Sequence, residues 1–200
     1  MAWLKAGQAS GGKFYEFTEV KNIYSKHGYV EVIIPSGKLT AKTVVIAAGS
    51  LTPDLLDQLK YQHSLFKKNI RLDVRKTTNS SVSHPAFIEE ETGLYGRADI
   101  GSGLFYIGLP TNNARSSDQH SEAIYRHGLN QFNWVEDSVL QDSLESDDCY
   151  SDDGAGCVMA LDEDKTIYLA SGFSGGGFKI APWVGYETAR LIKQNEINNE

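Results

Sequence analysis

The sequence predicts a mixed fold, α/β at the two ends of the chain and α+β in the middle, and three observations lead there. An unbroken apolar run, Thr43-Val44-Val45-Ile46-Ala47-Ala48-Gly49, ends in glycine. A second run, Thr166-Ile167-Tyr168-Leu169-Ala170-Ser171, enters a glycine-rich turn and then a helical pattern. Between them, segments such as Ile70-Arg71-Leu72-Asp73-Val74-Arg75 alternate apolar and charged residues. Continuous apolar runs suit strands covered on both faces, whereas alternation suits strands with one wet face. Residues 1–65 and 150–200 are therefore expected to share one region, and residues 66–149 to form a largely antiparallel sheet.

Taken in order, Phe14-Tyr15-Glu16-Phe17 and Val20-Lys21-Asn22-Ile23-Tyr24 read as strands. Lys26-His27-Gly28 turns the chain into Tyr29-Val30-Glu31-Val32-Ile33-Ile34, rich in β-branched residues, and Pro35-Ser36-Gly37-Lys38 turns it again. After the first buried run, Thr52-Pro53-Asp54-Leu55-Leu56 opens like a helix, with Thr52 as cap, Pro53 at the first position and Asp54 against the dipole. Phe87-Ile88-Glu89 and Gly103-Leu104-Phe105-Tyr106-Ile107-Gly108 are further strands. Asp137 to Asp153 is acidic and poor in large apolar residues, which reads as an exposed loop or crossing. Ile180, Val184, Leu191 and Ile192 recur near helical spacing through about Gln194.

Composition narrows the function. Of 200 residues, 40% are hydrophobic and 22% charged, as in globular chains, and the net charge of -7 lacks the Lys/Arg surplus that phosphate backbones demand. Nucleic acid and membrane are not expected partners, since no apolar run approaches the roughly 20 residues of a membrane span. Met1-Ala2-Trp3-Leu4-Lys5 does not begin a secretory signal, and Cys149 and Cys157 are too few for a disulfide scaffold. A cytoplasmic or organelle-matrix location is expected, and Asn79-Ser80-Ser81 is then an ordinary loop rather than a glycosylated sequon.

The turn after the second run is Gly172-Phe173-Ser174-Gly175-Gly176-Gly177-Phe178-Lys179. Strand, glycine turn and helix bring a helix N-terminus against an anion or an electron-rich ring, because glycines remove the Cβ atoms that hold backbone away. The same turn also serves tight strand–helix packing alone, and spacing does not separate the two. The segment is neither Gly-x-Gly-x-x-Gly nor a P-loop.

Ala170-Ser171-Gly172-Phe173-Ser174-Gly175-Gly176-Gly177-Phe178-Lys179 resembles the C-terminal flavin-contact motif of the monomeric sarcosine oxidase and N-methyltryptophan oxidase family, within the D-amino-acid oxidase group of FAD-dependent oxidoreductases. Lys42 to Leu56 is similar to that family's buried strand and the helix after it. The resemblance implies an FAD-binding Rossmann-like domain, of which the two ends are a part, and an antiparallel-sheet substrate domain. It implies oxidation of the C–N bond of a secondary amine or amino acid, with hydride passing to the flavin and oxygen reoxidising it. By resemblance, Gly172, Phe173, Ser174, Gly175, Gly176, Gly177 and Phe178 contact the ring, and Gly49 ends the other matching strand. Val20 meets the adenine, Lys179 holds a substrate carboxylate, and Tyr106, in Phe105-Tyr106-Ile107-Gly108-Leu109-Pro110, lines the substrate site.

Cys149 stands near the position of the family's covalent flavin attachment; the competing reading is a free thiol among Asp147, Asp148 and Asp152. Cys157 reads as a core residue. His120 fits a family histidine, but Ser116 stands where relatives have lysine, with Arg115 adjacent. Gly176 replaces the family's histidine. The motif that grips the dinucleotide in relatives does not occur in these 200 residues. Three expectations follow: a fragment, a subunit that takes the missing segment from another chain or a homo-oligomer, or a non-catalytic remnant or binding module without FAD.

Overall fold

The computed structural model describes residues 2–77, 85–99, 101–111 and 116–197; Arg115 and the Asn79-Ser80-Ser81 sequon lie outside them. The chain divides into two compact units, Met1–Leu65 with Ser151–Glu200, and Phe66–Tyr150.

In the first unit, helix α1 (Ala2–Ala9) precedes an antiparallel sheet of β1 (Asn22–Lys26), β2 (Tyr29–Ile34) and β3 (Gly37–Ala41), in that order. A second sheet has the order β10 (Cys157–Ala160), β11 (Ile167–Ser171), β4 (Val44–Ile46). In it β11 runs antiparallel to β10 and parallel to β4. Helices α2 (Thr52–Gln58) and α4 (Gly177–Ile197) follow the parallel strands. As expected, β11 is buried along its whole length. Strand β4 is not: Val45 is 38% exposed while Ile46 is buried. Apolar type records what a strand is able to bury, and the described residues cover only one face of this one.

Asp162 closes the β10–β11 turn. Its carboxylate accepts from the Thr166 and Ile167 N–H groups at 2.9 and 2.8 Å and from the Thr166 hydroxyl at 2.6 Å. Ser25 of β1 lies 3.1 Å from that hydroxyl, so the first sheet is tied to the second at the turn.

The second unit is one antiparallel sheet in the order β6 (Phe87–Ile88), β7 (Tyr95–Asp99), β8 (Leu104–Gly108), β5 (Phe66–Thr77), β9 (Ser138–Tyr150). Helix α3 (Ser117–Gln131) covers one face. Its Ile124 joins Leu94, Phe105, Ile107, Leu109, Trp134 and Val135 in the core, where the Phe105 and Trp134 rings stack 4.1 Å apart. Gly128 is the close approach: a Cβ there would stand 3.2 Å from Ile107.

Beside this core the same face of β5 carries charge. Arg71, Asp73 and Arg75 alternate inward and are all buried. Asp73 accepts from the Ser121 hydroxyl at 2.8 Å and the Ser143 hydroxyl at 3.1 Å, with the Arg75 guanidinium 3.7 Å away. Arg75 also donates to Ser138 Oγ at 2.8 Å and lies over the Tyr125 ring, and burial holds its pKa below the usual arginine value. Arg71 reaches Glu145 and Ser121 at 3.0 and 3.2 Å.

Several sequence expectations are corrected. Phe14 to Phe17 forms no strand and is exposed, because it has no described partner strand and β1 begins only at Asn22. Thr52 does not cap α2. It lies inside the helix, fully buried, while Leu51 holds the cap position. The acidic stretch from Asp137 is strand, not loop: β9 runs 13 residues along β5 with Arg71 opposite Glu145 and Lys68 opposite Asp148. Ladder hydrogen bonds come from backbone, so an end strand needs few apolar side chains. α3 was signalled by Ser116 and Gln119, which form a capping box.

Replacing Asp73 with alanine leaves a buried guanidinium without its counter-charge, so Asp73→Ala is expected to cost about 3 kcal/mol in urea unfolding, against under 1 for an exposed pair such as Glu122–Arg126.

Candidate functional site

In the first unit the two glycine-ended strands finish side by side. Parallel pairing sets Ile46 opposite Leu169, so the chain leaves β4 and β11 at the same edge of the sheet. Ser171, the last residue of β11, donates from its hydroxyl to Thr52 Oγ1 at 3.0 Å, and both side chains are buried. The first two candidates, Gly49 and Gly172, thus stand at one sheet edge, with φ of 55° and 80°, conformations that favour glycine. Open α/β sheets bind ligands outside the carboxyl ends of such strands.

Gly172 has a second constraint: a Cβ there would stand 2.5 Å from Leu65 Cδ2. Ser174 and Gly175 also take positive φ, 51° and 82°. Gly176 donates to the Phe173 carbonyl at 2.8 Å, and a Cβ on it would meet that oxygen at 3.1 Å. The turn then opens into α4, whose first N–H groups have no carbonyl within the helix to take them. Phe178 is 96% exposed, and Lys179, Ile180, Ala181, Pro182 and Trp183 are exposed with it. An exposed apolar helix start with the positive end of the helix dipole suits the edge of a flat ring that carries negative charge.

The loop from Ser151 holds this turn from behind. The Ser151 hydroxyl stands 2.8 Å from Asp153 Oδ1 and 3.0 Å from the Gly172 carbonyl, and accepts from the Gly156 N–H at 3.0 Å. Ser151 N–H donates to Ser174 Oγ at 3.2 Å, which in turn donates to the Gly172 carbonyl at 3.1 Å. The Ser151 hydroxyl, with the Ala155 N–H, holds the Asp153 carboxyl below its usual range.

Val20 precedes β1 and is exposed, and its neighbour Lys21 donates its N–H to the Ile33 carbonyl at 2.8 Å.

In the second unit the candidates separate. His120 is buried to 3% in the first turn of α3, on the helix-covered side of the sheet. Tyr106 alternates with the core residues Phe105 and Ile107, so it lies on the opposite face. His120 and Tyr106 therefore do not form one site within this unit. Beside Tyr106, on the face away from α3, are residues that the sequence did not mark. The Arg97 guanidinium sits over the Tyr106 ring at 4.5 Å, and the Tyr95 ring crosses Gly108, where a Cβ would be 2.6 Å away. Burial raises the Tyr95 pKa. Strand β7, Tyr-Gly-Arg-Ala-Asp, has no β-branched residue, and only two glycines, Gly96 in β7 and Gly108 opposite Tyr95 in β8, hinted at close packing. Cys149 is 2% exposed, so its thiol reaches an outside group only if its cover opens. Cys157 is half-buried in β10, its thiol 3.7 Å from the Ser171 carbonyl.

The sequence pattern of one family, FAD dependent oxidoreductase (DAO), matches residues 1–191. The chain belongs to this oxidoreductase family. No curated protein matches its sequence. Among solved structures it is similar to glycine oxidase from Geobacillus kaustophilus, at 20% identity and TM-score 0.79, covering 94% of this chain and 51% of that one. L-proline dehydrogenase from P. horikoshii is similar at 19% identity and TM-score 0.84, with 96% and 54% covered. Iminodiacetate oxidase from Chelativorans sp. BNC1 matches at 14% identity and TM-score 0.80, with 96% and 53% covered. The chain thus spans about half the length of these oxidoreductases, and at such identities the likeness is one of fold.

Among the described residues, the Gly172–Phe178 turn presents glycine backbone and an exposed helix start, a surface that a flat anionic ring edge is able to approach. Among the described residues no helix is long and apolar enough to cross a membrane.

Two outcomes are expected. Gly172→Ala meets both the positive φ and Leu65, and costs about 2–3 kcal/mol in thermal or urea unfolding. Asp153 has a folded pKa below its unfolded one, so its contribution is complete above about pH 4 and is lost as pH falls through the lower folded value. The melting-temperature gap between the parent and Asp153→Asn therefore closes on acidification toward pH 2.

Proposed function

We propose that the chain is the ring-contacting and substrate-binding portion of an FAD-dependent oxidoreductase that oxidises the C–N bond of a secondary amine or amino acid, of the sarcosine oxidase type. The observation that carries this reading is the shared edge of β4 and β11, closed by the Ser171–Thr52 hydrogen bond, from which a glycine turn leads into an uncovered helix start. The relatives support it: the similar structures are a glycine oxidase, a proline dehydrogenase and an iminodiacetate oxidase.

FAD held at this turn would supply the acceptor for a hydride from the carbon beside the amine nitrogen. The chain's own residues do the rest. Gly172 to Phe178 present backbone donors to the pyrimidine edge, where reduction places charge. Lys179, exposed on the first turn of α4, is placed to attract a substrate carboxylate. Tyr106, on the sheet face away from α3, would supply a ring surface to the amine. The burial of Cys149 supports flavin held without a bond to that thiol.

The test is an absorbance and fluorescence titration of the purified protein with FAD, followed by denaturation and filtration. Quenched flavin fluorescence and flavin that passes the filter are expected; a protein that takes up no FAD would overturn the reading for this chain. Lys179→Met is expected to keep flavin uptake and to weaken the spectral response to a carboxylate-bearing amine about tenfold, the loss of one charge-assisted contact.

A further inference from the structure

Both polar contacts of the Ser174 hydroxyl point into the chain. It accepts from Ser151 N–H and donates to the Gly172 carbonyl. The Ser151 hydroxyl accepts from Gly156 N–H and turns its single proton between the Gly172 carbonyl at 3.0 Å and the Asp153 carboxylate at 2.8 Å. Two linked hydrogen-bond chains result. One runs Ser151 N–H, Ser174 hydroxyl, Gly172 carbonyl. The other runs from Gly156 N–H through the Ser151 hydroxyl, whose proton is shared by the Gly172 carbonyl and the Asp153 carboxylate, where the Ala155 N–H also ends. Packing reinforces both, since a Cβ on Gly156 would stand 2.4 Å from the Phe173 ring and one on Gly177 3.4 Å from Phe173 Cβ. Phe173 is therefore gripped between the Ser151–Gly156 loop and the start of α4.

We propose that Ser151 is a positioning residue for the flavin-contact turn: with Ser174 and Asp153 it holds Gly172 and Ser174 in their left-handed conformations, so that Gly175 to Phe178 stay open to the ring. The inference rests on the reading of that turn as the ring contact, but the clamp itself is a property of the chain without cofactor. A turn with successive positive-φ residues does not hold itself, because each has other conformations of similar energy. A buried serine that joins both ends of the turn removes that freedom before the ligand arrives.

The test compares the parent with Ser151→Ala and Ser151→Thr, both in the full chain without FAD, by amide hydrogen exchange. Ser151→Ala is expected to speed exchange at Gly172 to Phe178 about tenfold, the opening expected for one lost hydrogen bond in a buried loop, while Ile167 to Ala170 stay within twofold. Ser151→Thr, which keeps the hydroxyl, should restore the parent pattern. Asp153→Asn, a second and milder variant, is expected to give a smaller change at the same residues. Exchange unchanged at the turn in Ser151→Ala and Asp153→Asn alike, or raised equally through β11, overturns the clamp. If Ser151→Ala does not fold, the Asp153→Asn and Ser151→Thr comparisons decide by the same criterion. FAD titration of the same proteins then separates the two ideas. Tighter binding by parent and threonine variant than by the alanine variant supports positioning. Equal binding by all three overturns it. No binding by the parent counts against the ring-contact reading, while exchange still decides the clamp.

Discussion

The parallel pairing of β4 with β11 is the constraint on which the candidate site depends. These strands are far apart in sequence, and only their pairing brings the two glycine endings to one edge. The pairing is short, with Ile167 to Leu169 facing Val44 to Ile46, so its stability comes from burial of β11 and from the Ser171–Thr52 bond at its end. Burying two hydroxyls is costly unless they satisfy each other, and here each answers the other. The bond therefore fixes where the strands end as much as it stabilises them, and the glycine turns start from that fixed point.

The second unit is built on a different balance. Its helix-covered face is half aromatic core and half buried charge, with Asp73 between two serines and a guanidinium. An apolar seam of the same size would pack with less desolvation cost. What the charged seam adds is register: Arg71 opposite Glu145 and Asp73 opposite Ser143 match only when β5 and β9 are aligned as they are. The face away from α3 uses no such device. It carries Tyr95, Tyr106 and Arg97 side by side, an aromatic surface with a cation lying on it.

Much of the fold was legible because backbone burial leaves a strong residue signal. The buried run at Ile167 to Ser171, the alternation at Ile70 to Arg75 and the helix after the glycine turn all follow from side-chain type alone. β9 was not legible, since an end strand bonded by its backbone tolerates Asp, Glu and Ser at nearly every position. α3 was marked only by the Ser116–Gln119 box, because its exposed face and its polar contacts to Asp73 and Arg75 blur the apolar stripe. In the site, the glycine turn was plain in the sequence, but its support was not: Ser151 and Asp153 look like ordinary loop residues until the chain folds back on Gly172. His120 and Tyr106 are close in sequence, and the helix–sheet arrangement puts them on opposite sides.

The long, acidic β9 at the margin of its sheet has a consequence for the behaviour of the protein in solution. A thirteen-residue ladder with one side bonded to β5 offers unused backbone donors and acceptors along the other, a template for strand-to-strand aggregation. Asp142, Glu145, Asp147 and Asp148 blunt it, because a second copy laid alongside would bring like charges into register at each of those positions. The same carboxylates that make the segment look like a loop thus guard the sheet margin against strand-to-strand association.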